Sequence, residues 1–190
     1  PLVNPVGDIQ CRLAPHLPQP GQQQRRRRPA IHVVIGKDRD AALMTLKFPH
    51  EDFRFGQRDL AEAVYKVASN GRCLMAQAPT GIGKTIGTVF PLLKAAPGQA
   101  LDKVFFLTAK TPGRQLALDA LSLIRGSSPS LPLRTLELTA RDKACEHPDK
   151  ACHGDACPLA RGFYDRLPAA RAAAVRAAHM DRAQLRATEI

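Results

Sequence analysis

Ala78-Pro79-Thr80-Gly81-Ile82-Gly83-Lys84-Thr85 (APTGIGKT) organises the reading of this 190-residue chain. Two glycines so close together let a backbone curl until its N–H groups point inward at an anion. A lysine and a hydroxyl follow at once. That order puts a cation on the β- and γ-phosphates of a nucleotide and a hydroxyl on Mg²⁺. The general pattern opens on glycine, and here Ala78 takes that place. Upstream, residues 73–76 (CLMA) read as a short buried strand, with Cys73 a core thiol. Downstream, TIGTVFPLLKAA reads as a helix that Pro91 should bend or shorten. Strand, glycine turn and helix start, in that order, predict a phosphate-binding loop whose anion sits on the positive end of the helix.

Further out the same alternation continues. From Gln57, QRDLAEAVYKVAS sets Leu60, Val64, Val67 and Ala68 on one helical face, and Asn70-Gly71 ends it. Residues 103–109 (KVFFLTA) predict a second buried strand. Residues 113–125 predict a helix with Leu116, Ala120 and Ile124 in register and Gly126 as its stop, and residues 133–139 a third strand. Strands alternating with helices predict a parallel α/β sheet of the P-loop NTPase type, incomplete within this chain. Residues 1–47 read as a loosely ordered basic leader in which only residues 31–35 (IHVVI) suggest a strand; order is expected from about Phe48.

The net charge is +11, with one dense run at Arg25–Arg28. Basic residues outnumber acidic ones by eight to three in 1–50, eleven to seven in 51–140 and nine to seven in 141–190. Such a balance favours a polyanionic partner, because neutralising phosphates releases their counterions. No apolar run has the length of a membrane span. Three of the five cysteines, Cys145, Cys152 and Cys157, fall within thirteen positions, as for a metal or cluster site in a reducing compartment. Thiolates suit both zinc and iron–sulfur clusters, but neither gap is the CxxC of a zinc knuckle. Beyond Pro158 the chain is Ala- and Arg-rich and predicted helical.

Together, FRFGQRDLAEAVY, LMAQAPTGIGKT, FFLTAKTPGRQ and KACEHPDKACHGDACPLARGFYDRLPAAR resemble the opening third of the XPD/DinG family of iron–sulfur superfamily 2 DNA helicases, over about residues 48–180. The resemblance implies a RecA-like motor domain over 48–140 and a partial cluster domain over 141–190. It implies ATP hydrolysis coupled to 5′→3′ movement on single-stranded DNA or DNA junctions, a DNA-repair setting, and a cytoplasmic, nucleoid-associated location of bacterial type. By the same resemblance Gln57 matches the adenine-contacting glutamine of the Q motif. Ala78 to Thr85 hold ATP, with Lys84 and Thr85 as the catalytic pair and Thr85 on Mg²⁺. Lys110, Thr111 and Arg114 match a DNA-contacting loop. Cys145, Cys152 and Cys157 match ligands of a 4Fe–4S cluster, with zinc as the alternative metal, and the fourth cysteine is expected beyond Ile190. A second motor domain is an expected partner. No Asp-Glu-x-His run occurs in these residues, so the chain itself is expected to bind nucleotide without hydrolysing it efficiently.

Overall fold

A computed structural model describes residues 10–13, 38–109, 111–140, 144–177 and 179–187. The arginine run and the predicted strand at 31–35 lie outside them. The chain divides into two compact units, Pro1–Leu131 and Pro132–Ile190.

The first unit is a stack of helices carrying one short ribbon. Strand β1 (Gln10–Leu13) precedes helix α1 (38–44), α2 (Gln57–Ser69), β2 (Leu74–Gln77), α3 (Lys84–Ala95), a 3₁₀ turn (Pro97–Gln99) and α4 (Thr111–Ser127). Helix α3 lies between its two neighbours, packed on α2 and on α4. The apolar spacing explains why. Leu60, Ala61, Val64 and Val67 of α2 meet Ile86, Val89, Phe90 and Leu93 of α3, and all are buried. Each leucine or isoleucine so buried stabilises by about 1.5–3 kcal/mol. Phe48 stacks on Phe53 with ring centroids 3.9 Å apart and meets Phe90 edge-on, closing one end of this core.

Several expectations need correction. Residues of the leader are structured: β1 pairs antiparallel with β2, and Leu43 and Leu46 are buried. Order therefore starts before Phe48. Of the two effects expected of Pro91, a bend or a shortening of α3, the shortening does not occur. The helix runs through it, and the ring lies on the buried side. Helix α4 buries Ala117, Ala120 and Ile124, whereas Leu116 is 56% exposed. It also runs through Gly126, because no left-handed residue breaks it there. Residues 103–109 form no strand, and Val104, Phe105, Phe106 and Leu107 are exposed. A strand needs a neighbour to take its backbone hydrogen bonds, and among the described residues none lies alongside this segment. Cys73 is exposed rather than a core thiol, and Met75 beside it is 72% exposed, since nothing described covers that face of β2.

The second unit is sparser. Strand β3 (Thr135–Leu136), much shorter than the strand predicted over 133–139, pairs parallel with β4 (His179–Met180). Helices α5 (Phe163–Arg176) and α6 (Arg182–Ala187) supply the predicted helical content. Its buried apolar side chains, among the described residues, are Cys157, Ala170 and Met180. The two small sheets, one antiparallel and one parallel, make up the sheet structure of the described residues. Among those residues no helix is long and apolar enough to cross a membrane.

Candidate nucleotide-binding site

The phosphate loop leaves β2 at Gln77 and enters α3 at Lys84, the order predicted from its residues. Gly81 and Gly83 adopt left-handed backbone, with φ of 87° and 82°. Few side-chain-bearing residues tolerate that region, so the glycines are what allow the turn. Gly83 caps α3, its carbonyl accepting from Gly87 N at 3.0 Å. Ile82 points the other way and is buried, which pins the loop to the helical core.

Two side chains from the segment around the start of α2 brace this loop. Gln57 is 2% exposed, its Nε2 donating to the Gly83 carbonyl at 3.1 Å and its Oε1 accepting from Arg54 N at 3.0 Å. Arg54 Nη1 donates to the Gly81 carbonyl at 2.6 Å. The fit is close: a Cβ added at Gly83 would overlap Gln57 Nε2, whereas one at Gly81 would meet nothing within 4 Å. The Gln57 amide is thus engaged with backbone at both ends. Its role here is to hold the loop. Arg54 belongs to no motif expected from the sequence, although it stands three residues before Gln57 in FRFGQRD. The available signal was its place in that segment, not its charge.

Lys84 is exposed and folds back across the start of the loop, its Nζ donating to the carbonyls of Ala78 at 3.0 Å and Pro79 at 2.8 Å. Thr85 is half-buried in the first turn of α3. Both are therefore at the helix start, beside the unpaired N–H groups and positive dipole end that attract an anion. Thr80 is exposed, and Ala78 and Pro79 are half-buried.

Of the predicted DNA-contacting residues, Lys110 lies outside the described residues, Thr111 opens α4, and Arg114 is half-buried in its first turn. Gly113 packs so closely on Thr108 that an added Cβ would overlap its hydroxyl.

The three clustered cysteines are free thiols in different environments: Cys157 buried, Cys145 half-buried, Cys152 exposed. Among the described residues no three His, Cys, Asp or Glu side chains gather where a metal ion would be held. The segment is shaped instead by backbone turns and arginines. Cys157 N donates to His153 O at 2.9 Å, and Arg161 Nε to Gly154 O at 3.1 Å. Arg166 donates to Arg161 O at 2.5 Å and Leu159 O at 2.9 Å. As folded here, the thiols do not fit a cluster.

Over 79 residues the chain is 33% identical to a probable ATP-dependent helicase of Methanocaldococcus jannaschii, a match covering 42% of this chain and 12% of that protein. No family model and no solved structure matches the chain.

Proposed function

We propose that this chain is the nucleotide-binding part of an ATP-dependent DNA helicase, built on an α/β P-loop fold of the RecA-like kind. The supporting observation is the loop itself: two left-handed glycines immediately ahead of a helix, with Lys84 and Thr85 at its first turn. The 79-residue likeness to a probable ATP-dependent helicase supports the helicase part of the reading.

The chemistry follows from these groups. Backbone N–H groups of the loop and the start of α3 would take the phosphate oxygens of ATP. Lys84 would exchange its two carbonyl acceptors for phosphate oxygens, trading neutral acceptors for charged ones. Hydrogen bonds to charged groups contribute about 1.5–3 kcal/mol each. The Thr85 hydroxyl would hold Mg²⁺, which screens phosphate charge when bound. Gln57 and Arg54 keep the loop open for the anion by holding the Gly83 and Gly81 carbonyls. An adenine contact by Gln57 requires that its two backbone bonds be exchanged. Arg114, with Lys110 and Thr111, would meet the backbone of single-stranded DNA without reading sequence.

The 4Fe–4S assignment of Cys145, Cys152 and Cys157 is supported by spacing and resemblance, and no step of the reaction is drawn through it. Iron and sulfide content, with a broad visible absorption band, checks it; colourless protein carrying stoichiometric zinc overturns it.

Titration with a fluorescent ATP analogue and Mg²⁺ tests the central proposal. The 190-residue chain is expected to bind it saturably, and Lys84→Ala to weaken binding by about 10- to 100-fold, the loss of one charged contact. Equal affinity in the two proteins overturns the assignment.

A further inference from the structure

Three phenylalanines precede helix α2, and the core uses two of them. Phe48 and Phe53 stack on each other, and Phe48 meets Phe90 edge-on. Phe55 is left 75% exposed. The other exposed aromatics of the described residues stand elsewhere: Tyr65 near the opposite end of α2, Phe105 and Phe106 ahead of α4, and Tyr164 in the second unit.

The backbone that carries Phe55 is tied down. Gln57 N donates to Arg54 O at 2.9 Å, and Arg54 N donates to Gln57 Oε1 at 3.0 Å, which closes residues 54–57 into a turn. Gly56, with φ 71° and ψ −14°, has the angles of the third residue of a type II turn, so Phe55 holds the second position. Both ends of this turn are fastened to the phosphate loop, Arg54 to the Gly81 carbonyl and Gln57 to the Gly83 carbonyl. An exposed aromatic side chain is therefore mounted on the segment that braces the loop.

A nucleoside triphosphate carries charge at one end and a flat, largely apolar base at the other. The loop, Lys84 and the start of α3 answer the charge. The Gln57 amide is held by backbone at both ends and reaches a base only by giving up those bonds. We infer that Phe55 is the base platform of this site, its ring stacking on the face of the base while the phosphates lie on the loop. Because the contact is made with the π-face and not with the hydrogen-bonding edge, it serves adenine and guanine alike and gives the smaller pyrimidines less. The turn is fixed before the nucleotide arrives, so little ordering cost falls on binding. The inference rests on the nucleotide-binding reading above and extends it from the phosphates to the base.

The full 190-residue chain contains no tryptophan, so Phe55→Trp places a single indole emitter on the turn. ATP and GTP with Mg²⁺ are expected to quench its emission saturably, whereas inorganic tripolyphosphate with Mg²⁺, which has no base, leaves it unchanged. Calorimetric titration of Phe55→Ala is expected to show ATP and GTP weakened by about 5- to 150-fold, the loss of one base–aromatic stack, with tripolyphosphate affinity unchanged. Phe55→Tyr keeps the aromatic face and retains most of the affinity. Wild-type ATP affinity in Phe55→Ala overturns the inference. So does an equal loss for tripolyphosphate, which would make the ring a support of the loop, and so does quenching by tripolyphosphate equal to that by ATP. A wild-type chain that binds ATP no more tightly than tripolyphosphate overturns the base contact and leaves the phosphate loop standing. A wild-type chain that binds neither overturns the nucleotide reading itself.

Discussion

The phosphate loop and the cysteine segment are both short, glycine-bearing stretches whose residue types announce chemistry, yet only one is assembled in the folded chain. The loop is made of backbone. Its φ angles are set by Gly81 and Gly83, and its carbonyls are tied to Gln57 and Arg54 over a helical core. The cysteine segment depends on three side chains arriving at one point, and here they sit at three depths of burial. Among the described residues its surroundings bury Cys157, Ala170 and Met180, too little apolar surface to force convergence. A site built from main chain comes with the local conformation, whereas a site built from thiolates commonly forms with its metal.

The sharpest way to break this contrast is at Gly83. Gly83→Ala combines a left-handed φ with overlap on buried Gln57, so nucleotide binding is expected to be lost, with about 2–4 kcal/mol of stability. Gly81→Ala faces open space and is expected to cost only about 1–2 kcal/mol, from its backbone alone. Urea unfolding and nucleotide titration measure both. Equal effects at the two glycines would mean that the packing of Gln57 on the loop has no consequence.

Gln57→Ala comes next. It removes a partner from the Gly83 carbonyl and from Arg54 N in a buried setting, an expected loss of about 1–3 kcal/mol. Nucleotide affinity should fall for ATP and for a triphosphate with a different base alike, because the amide acts on the loop. A loss restricted to adenine nucleotides would instead assign the amide to the base.

The smallest effects belong to the cysteines. Cys157→Ser puts a hydroxyl in a buried apolar position and is expected to destabilise the metal-free chain by about 1–2 kcal/mol, while Cys152→Ser changes stability by less than about 0.5 kcal/mol. In thiol labelling of the metal-free chain Cys152 should react first and Cys157 last. Uniform reactivity of all three would contradict their three depths of burial.

Helix α2 shows how much was readable in advance. Leu60, Val64 and Val67 recur at helical spacing, Asn70-Gly71 follows, and the helix occupies Gln57–Ser69 with those side chains buried. Helix α4 was legible in outline, but its buried face includes Ala117 rather than Leu116, a choice made by the helix packed against it. The apolar run at 103–109 reads as a buried strand on composition alone. It forms none, because composition says nothing of whether a neighbour is present to take its hydrogen bonds.

What the residues determined unaided is the turn at 78–85, the helix that follows it and the charge it offers, since glycine φ, helix spacing and a lysine's place in the chain are local properties. Tertiary structure alone decided that Arg54 and Gln57 brace that turn, that β1 returns to pair with β2, and that the three clustered thiols stay apart. Those outcomes depend on which distant groups meet, and side-chain types by themselves carry no distances.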